Sequence, residues 1–283
     1  RPEQYGAMLQ YFTGSKYHNI KLREFAQKKS LTLNEYGISG RKFASEEEFY
    51  KFLGLDWIPP ELREDAGEIE AALKHKLPTL VNLKDIKGDL HMHTSDLQET
   101  SHDSGENTIK EMKKIGKDLG YEYVGVSDHN PSVSKHNPNE AVKSLRQRSE
   151  LIEQINYSGG SCRVISLLEV DIQPDGSLAT HQEGLDLLDG CLVSIHSSFG
   201  MDKKDMTNRV LRGLSNPVAR IFSHPTGRLL GSREGYELDW EQVFKFCLVH
   251  DKALEINAQP NRLDLPDVLV REAVKRGVLL SLG

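Results

Sequence analysis

Nothing in this 283-residue sequence is long and apolar enough to cross a bilayer. No hydrophobic run approaches the roughly 20 residues a spanning helix requires, and the opening RPEQYGAMLQ has no charged n-region followed by an apolar h-region. A soluble, cytoplasmic protein without membrane contact is expected. An excess of positive charge is also missing. With 42 acidic against 36 basic residues and a net charge of −6, a broad basic face for non-specific duplex binding is excluded, and any nucleic-acid contact must be local. Cysteine is scarce. Cys162, Cys191 and Cys247 lie far apart inside apolar runs with no CxxC spacing, which reads as reduced core residues rather than zinc or redox chemistry. Repeats and low-complexity segments are absent too. The 37% hydrophobic content supports an ordinary core, enough for one large α/β domain and a smaller one.

What is present falls into two regions. Up to about residue 60 the chain reads as a small α+β module. It has a turn at Thr13-Gly14-Ser15, a helix with Ile20, Leu22 and Phe25 as apolar positions, and the alternating stretch LTLNEYGI as a strand. Ser45 opens a capping box, SEEE, before a short helix that Gly54 closes. Residues 61–87, preceded by a proline pair and rich in acidic residues, read as a linker with a short helix at 68–76. From Gly88 to residue 283, seven apolar runs (GDLHMH, YEYVGVSDH, RVISLLEVDI, GCLVSIH, ARIFSHP, KALEINA, GVLLSLG) alternate with amphipathic helices. The helices are placed near 108–119, 140–155, 203–214, 239–249 and 266–276. Strands alternating with helices imply βαβ units and a parallel sheet, and seven of them suggest closure into a barrel.

The stretch GDLHMHT carries the first chemical signal. Residues i and i+2 of a strand share a face, so His91 and His93 present two imidazoles side by side. In βα barrels reactive residues gather at the C-terminal ends of strands. Reading only those ends adds His129, Glu169, His196 and His224, so that five of the chain's eleven histidines occupy equivalent positions. This nitrogen and oxygen set suits Zn²⁺, Mn²⁺ or Fe²⁺ and exceeds the needs of one tetrahedral ion, which points to a multinuclear centre.

GDLHMHT, VSDHN, the Glu169 strand, SIHSS and FSHPTGR resemble the successive motifs of the polymerase and histidinol phosphatase (PHP) domain. That resemblance implies a distorted seven-stranded βα barrel holding three metal ions. EINAQPNRLDLPD is similar to the version attached to bacterial and archaeal family X DNA polymerases. YFTGSKYHNIKLREFAQKKSLTLNEYGI, residues 11–38, resembles the end of such a polymerase, where the chain runs from the palm into the thumb. The similarity places Tyr11 and Phe12 near the sugar of a nucleotide, and Gly14 and Ser15 near template or nucleotide. His18 would be a surface residue of the thumb.

The family's first motif has an aspartate shortly after HxH. Here that region is spread into TSDLQETSHDSGENT, so the resemblance makes Asp103 the further ligand, with Asp96 and His102 as competitors. It also implies an Asp-x-His motif beyond GVLLSLG, supplying two more ligands after Gly283. The implied activity is metal-dependent phosphoester hydrolysis at single-stranded or gapped DNA 3′ ends, a 3′-5′ exonuclease or end-processing function in DNA repair. In it, His91, His93, Asp103, His129, Glu169, His196 and His224 hold the ions. Arg228, Arg233 and Arg262 are candidates to grip phosphate oxygens as bidentate donors. The chain is expected to be monomeric and not to polymerise by itself. The alternatives are a small-molecule phosphatase of the histidinol phosphatase kind and a non-catalytic DNA-docking module.

Overall fold

The computed structural model describes all residues from Arg1 to Gly283, and the chain divides into two compact units, Arg1–Val81 and Asn82–Gly283.

In the first unit, α1 (Tyr5–Thr13) ends at Gly14, which adopts φ +76°, and Ser15 caps α2 (Lys16–Lys28) by accepting from the His18 amide. The stretch expected as one strand is a hairpin of β1 (Leu33–Asn34) and β2 (Gly37–Ile38). The Asn34 side chain accepts from the Tyr36 amide at 3.0 Å, and Gly37 takes φ +143°, so the chain turns where alternation alone reads straight. Ser45 caps α3 (Glu46–Leu53), and Gly54 closes it in the left-handed region, as the capping box implies. Leu22, Ala26, Ile38, Phe43, Phe49, Tyr50, Leu53 and Ile58 form the core.

The segment expected as a linker is not one over most of its length. Ile69 and Ala72 of α4 (Glu68–Leu73) join this core, and Arg63 is fully buried with Nη1 on Glu46 at 2.8 Å. A polar, proline-marked stretch folds in because its charges find buried partners. His18 corrects a second expectation. It is fully buried, with Nδ1 on Glu68 Oε1 at 2.6 Å and Nε2 on the Tyr50 hydroxyl at 2.9 Å.

The second unit is mixed α/β with parallel sheets. Its elements in chain order are β3 (Gly88–Met92), α5 (Ile109–Asp118), β4 (Tyr123–Val126), α6 (Pro138–Tyr157), β5 (Arg163–Ser166), β6 (Glu169–Asp171), α7 (Gln182–Leu185), β7 (Cys191–Ser194), α8 (Lys203–Leu214), β8 (Ala219–Phe222), α9 (Trp240–Val249), β9 (Ala253–Ile256), α10 (Asp267–Arg276) and β10 (Leu279–Leu282). One sheet has the order β3-β4-β5 and the other β10-β9-β8-β7-β6, with every pair parallel. RVISLLEVDI spans both sheets. Its first half pairs with β4 and its second half with β7, while a parallel bridge from Glu169 to His129 carries the pairing across the break.

Both faces of these strands are apolar, as parallel strands covered by helices require. Val124, Val126, Val164, Val170, Val193, Phe222 and Leu254 face the helices. Leu90, Ile165, Leu167, Leu192, Ile221 and Ala253 meet in one small cluster on the opposite face. Five of these side chains come from β3, β5, β7, β8 and β9, and Leu167 from the link between β5 and β6. The two sheets have no ladder between β10 and β3, although Gly283 lies against His91. All three cysteines are buried and unpaired. No helix is long and apolar enough to cross a membrane.

Candidate metal centre

The C-terminal strand ends converge on a cavity of about 350 Å³. It is lined by Asp89, His91, His93, His102, Asp103, His129, Glu169, His196, His224, Asn257, Gln259, Arg262 and Gly283. The histidines come from strand ends or just past them, whereas Glu169, expected at a strand end, is the first residue of β6. His91 and His93 come from β3, His129 follows β4, and Glu169 opens β6. His196 follows β7, His224 follows β8, and Asn257 follows β9.

Glu169 is the centre. Its side chain is 1% exposed and five imidazoles surround it: His91 Nε2 at 3.1 Å, His93 Nε2 at 3.5 Å, His129 Nδ1 at 3.2 Å, His196 Nε2 at 3.5 Å and His224 Nε2 at 2.8 Å. The Ser194 hydroxyl also donates to Oε1 at 2.5 Å. Burial pushes this carboxyl's pKa up, but the His91 charge and the hydrogen bonds from His224 and His91 outweigh it and hold the group well below the usual range. Burial pushes His129 down to about 4 and lowers His93, so both rings are neutral at neutral pH. For His91 burial also works downward, yet the charges of Glu169 and Glu255 prevail and raise it.

This arrangement is not self-sufficient. Two carboxylate oxygens cannot take good hydrogen bonds from five rings and a serine. Protonating the rings would bring like charges together, since the His93 and His129 centroids are 4.5 Å apart and those of His102 and His196 are 4.3 Å apart. Nδ1 of His93 and of His224 is buried without a hydrogen-bond partner, and that of His129, though 3.2 Å from Glu169, is not aligned for one. Inward-facing imidazoles around ionised carboxylates are the donor set of divalent transition ions. Three groups bring their ligand atoms within 4.8 Å of one another: His91, Glu169 and His224; His93, His129 and Glu169; and His102, His129 and His196.

Of the residues singled out in the sequence, His91, His93, His129, Glu169, His196 and His224 are brought together here. Asp103 also lines the cavity, with Oδ1 3.2 Å from His129 Nε2, while its side chain stays 82% exposed. Its competitor His102 lines the cavity as well and lies 3.2 Å from both oxygens of Asp171. Asp96 does not belong to the site, because its Oδ2 accepts the Ile109 amide at 2.6 Å and fixes the start of α5.

The three arginines separate. Arg262 lines the cavity and forms no ion pair. Arg228 does not line it: its guanidinium donates to the Arg262 and Leu263 carbonyls. Arg233 donates to the Gly227 carbonyl and stacks over Phe199 at 3.9 Å. Arg228 thus braces the loop that carries Arg262 and Arg233 the loop after β8, which spacing could not reveal.

Three acidic residues escaped the sequence reading. Asp171 bonds His196 Nδ1 at 2.6 Å as well as His102. Glu255 bonds His91 Nδ1 at 2.5 Å. Asp89 accepts the His91 amide at 2.8 Å. The signal for Asp171 was available, because it stands two residues after Glu169 and shares its face by the logic applied to His91 and His93.

In the first unit, Tyr11 and Phe12 pack edge to face with centroids 5.3 Å apart, and Phe12 is 73% exposed. They are therefore not a core pair. Gly14 and Ser15 form the adjoining turn, held where the Ser15 amide donates to the Arg63 carbonyl at 3.1 Å.

Comparison with known proteins gives three findings. The DNA polymerase beta thumb family matches residues 8–64. DNA polymerase/3′-5′ exonuclease PolX of Bacillus subtilis is 37% identical over 287 aligned residues, covering 99% of this chain and 49% of that protein. A probable phosphatase of Caldicellulosiruptor saccharolyticus is 25% identical over 186 residues, 62% of this chain and 72% of that protein. The chain thus spans about half the length of the Bacillus relative.

Proposed function

For a chain that corresponds to the C-terminal part of a family X DNA polymerase, we propose that the second unit is a metal-dependent phosphoesterase of the PHP type, acting on DNA 3′ ends. Its curved parallel strands form the distorted βα barrel of that domain. The observation that carries the reading is the single buried carboxylate ringed by five strand-end imidazoles. The exonuclease named in the Bacillus relative supports the reaction class.

His91, Glu169 and His224 would hold one divalent ion, and His93, His129 and His102 with Asp103 and His196 the others, in a centre of up to three. Bound Mn²⁺, Zn²⁺ or Fe²⁺ would supply positive charge to polarise phosphoryl oxygens and acidify an attacking water. Asp171 keeps His196 and His102 in place through their ring nitrogens. Arg262 offers the only unpaired cation of the cavity wall to a phosphate oxygen, beside the amides of Asn257 and Gln259. In the first unit, exposed Phe12 with Tyr11, Gly14 and Ser15 forms the surface that meets DNA or nucleotide. That surface gives the polynucleotide reading its advantage over a histidinol-phosphatase-like activity.

The phosphatase named in the Caldicellulosiruptor relative supports a second reading, hydrolysis of a small phosphate monoester. Degradation of a 5′-labelled single-stranded oligonucleotide in Mn²⁺, run beside p-nitrophenyl phosphate, tests both. One-nucleotide shortening from the 3′ end supports the first reading. Monoester turnover without shortening overturns it in favour of the second.

A further inference from the structure

Glu255 is the next-to-last residue of β9, with its side chain 1% exposed and its two oxygens on partners from different strand ends. Oε1 meets His91 Nδ1 on β3 at 2.5 Å. Oε2 accepts the backbone amide of His224, past the end of β8, at 2.6 Å. That amide belongs to a residue in an unusual state, since His224 has φ +29°, a conformation side-chain-bearing residues rarely adopt and hold only when their surroundings impose it. Gly283 leaves room for this carboxylate. A Cβ there would stand 2.4 Å from Glu255 Oε1 and 2.8 Å from His91 Cβ.

We propose that Glu255 is a positioning residue for two ligands at once, with Gly283 as the clearance that lets it reach them; this rests on the metal reading given above. A neutral imidazole carries one N–H. With a carboxylate accepting from Nδ1, the His91 proton is held there and the Nε2 lone pair faces the ion beside Glu169. His224 is fixed differently. Its Nδ1 has no partner that could set the tautomer, so its placement depends on the backbone that Glu255 holds. One buried carboxylate thereby orients a ring on one strand and a main chain on another.

The test is Mn²⁺ titration of the metal-stripped chain by calorimetry for the wild type, Glu255→Gln and Gly283→Ala. It is read together with the melting temperature of each metal-free protein and the ¹⁵N shifts of the histidine rings in the Zn²⁺-loaded protein, where a ligating His91 keeps a single N–H. Gln keeps the size but weakens the acceptor, so binding at the tightest site should fall about 10- to 100-fold, the usual cost of losing such a partner. His91 should change from the Nδ1–H form to a mixture of tautomers. Gly283→Ala touches no ligand and should move both readouts the same way. Should Glu255→Gln not fold, Gly283→Ala decides on the same measurements. A wild type that takes up no Mn²⁺ overturns the metal reading itself. A wild type that binds, with wild-type affinity and an unchanged His91 tautomer in the variants, overturns the role of Glu255 alone. So does a lowered melting temperature with unchanged affinity.

Discussion

Each unit buries histidine against glutamate, and the two pairings have opposite characters. In the first, His18 faces one carboxylate and one hydroxyl, while Glu68 also accepts the Asp65 and Ala66 amides at 3.1 and 2.8 Å. Both ring nitrogens of His18 have a partner there. In the second, Glu169 is shared among five rings beside a cavity, and ring nitrogens remain without partners. A histidine with a buried glutamate is therefore not a metal signal by itself. The surplus of donors over acceptors is the signal, and it separates a closed structural pair from a cluster with the donor set for a cation.

The largest expected effect breaks the second cluster. His91→Ala combined with His93→Ala should lower oligonucleotide hydrolysis by about 100-fold or more, since in the proposed centre these residues would contact the ion directly and even outlying partners cost 10- to 100-fold. Circular dichroism should stay unchanged, because both side chains border the cavity. Undiminished hydrolysis would remove them from the mechanism. Breaking the first pair should do the reverse. His18→Ala removes one hydrogen bond from buried Glu68, which keeps the Asp65 and Ala66 amides, and should cost about 2 kcal/mol in urea unfolding of the first unit. Metal content should not change, and a metal loss in this variant would blur the distinction.

Acid should sharpen the contrast. Burial lowers the His18 pKa, the larger effect there, against the pull of Glu68. A group with a depressed folded-state pKa stabilises above its unfolded value, and the contribution is lost as pH falls, here below about 6.5. For Glu68, burial works upward but the hydrogen bonds from His18 and from the backbone outweigh it. It is lowered as well, so a second loss begins below its ordinary value of 4.5. The second unit should lose Mn²⁺ over the same range below about pH 6, because protons compete for neutral imidazole. Metal content that does not vary with pH would contradict a histidine centre. A smaller effect belongs to Arg262: Arg262→Ala should raise KM by about 10-fold with kcat little changed, in line with the 1.5–3 kcal/mol of a charge-assisted hydrogen bond. Arg233→Ala should act mainly on stability.

The periodicities of two and of a helical turn made the alternation of strands and helices legible, and with it the six residues that meet at the cavity. Less legible was whatever depends on distant partners. RVISLLEVDI reads as one strand because nothing local reports that it changes partners midway. The fate of residues 61–81 depended on Arg63 and Glu68 meeting Glu46 and His18, contacts 17 and 50 residues apart in sequence. His102 and Asp103 sit in a loop whose path no pattern sets, and Glu255 reaches a histidine 164 residues away. Asp171 is the exception, readable from its spacing to Glu169.

The central claim is that the second cluster is built around ions and the first is not. Equilibrium dialysis of the metal-stripped chain against Mn²⁺, with metal per chain counted by elemental analysis, tests it directly in the wild type, His91→Ala with His93→Ala, and His18→Ala. The account predicts more than one ion per chain in the wild type and in His18→Ala, with a loss of bound metal in the double variant. No bound metal in the wild type, or full occupancy in the double variant, would contradict it.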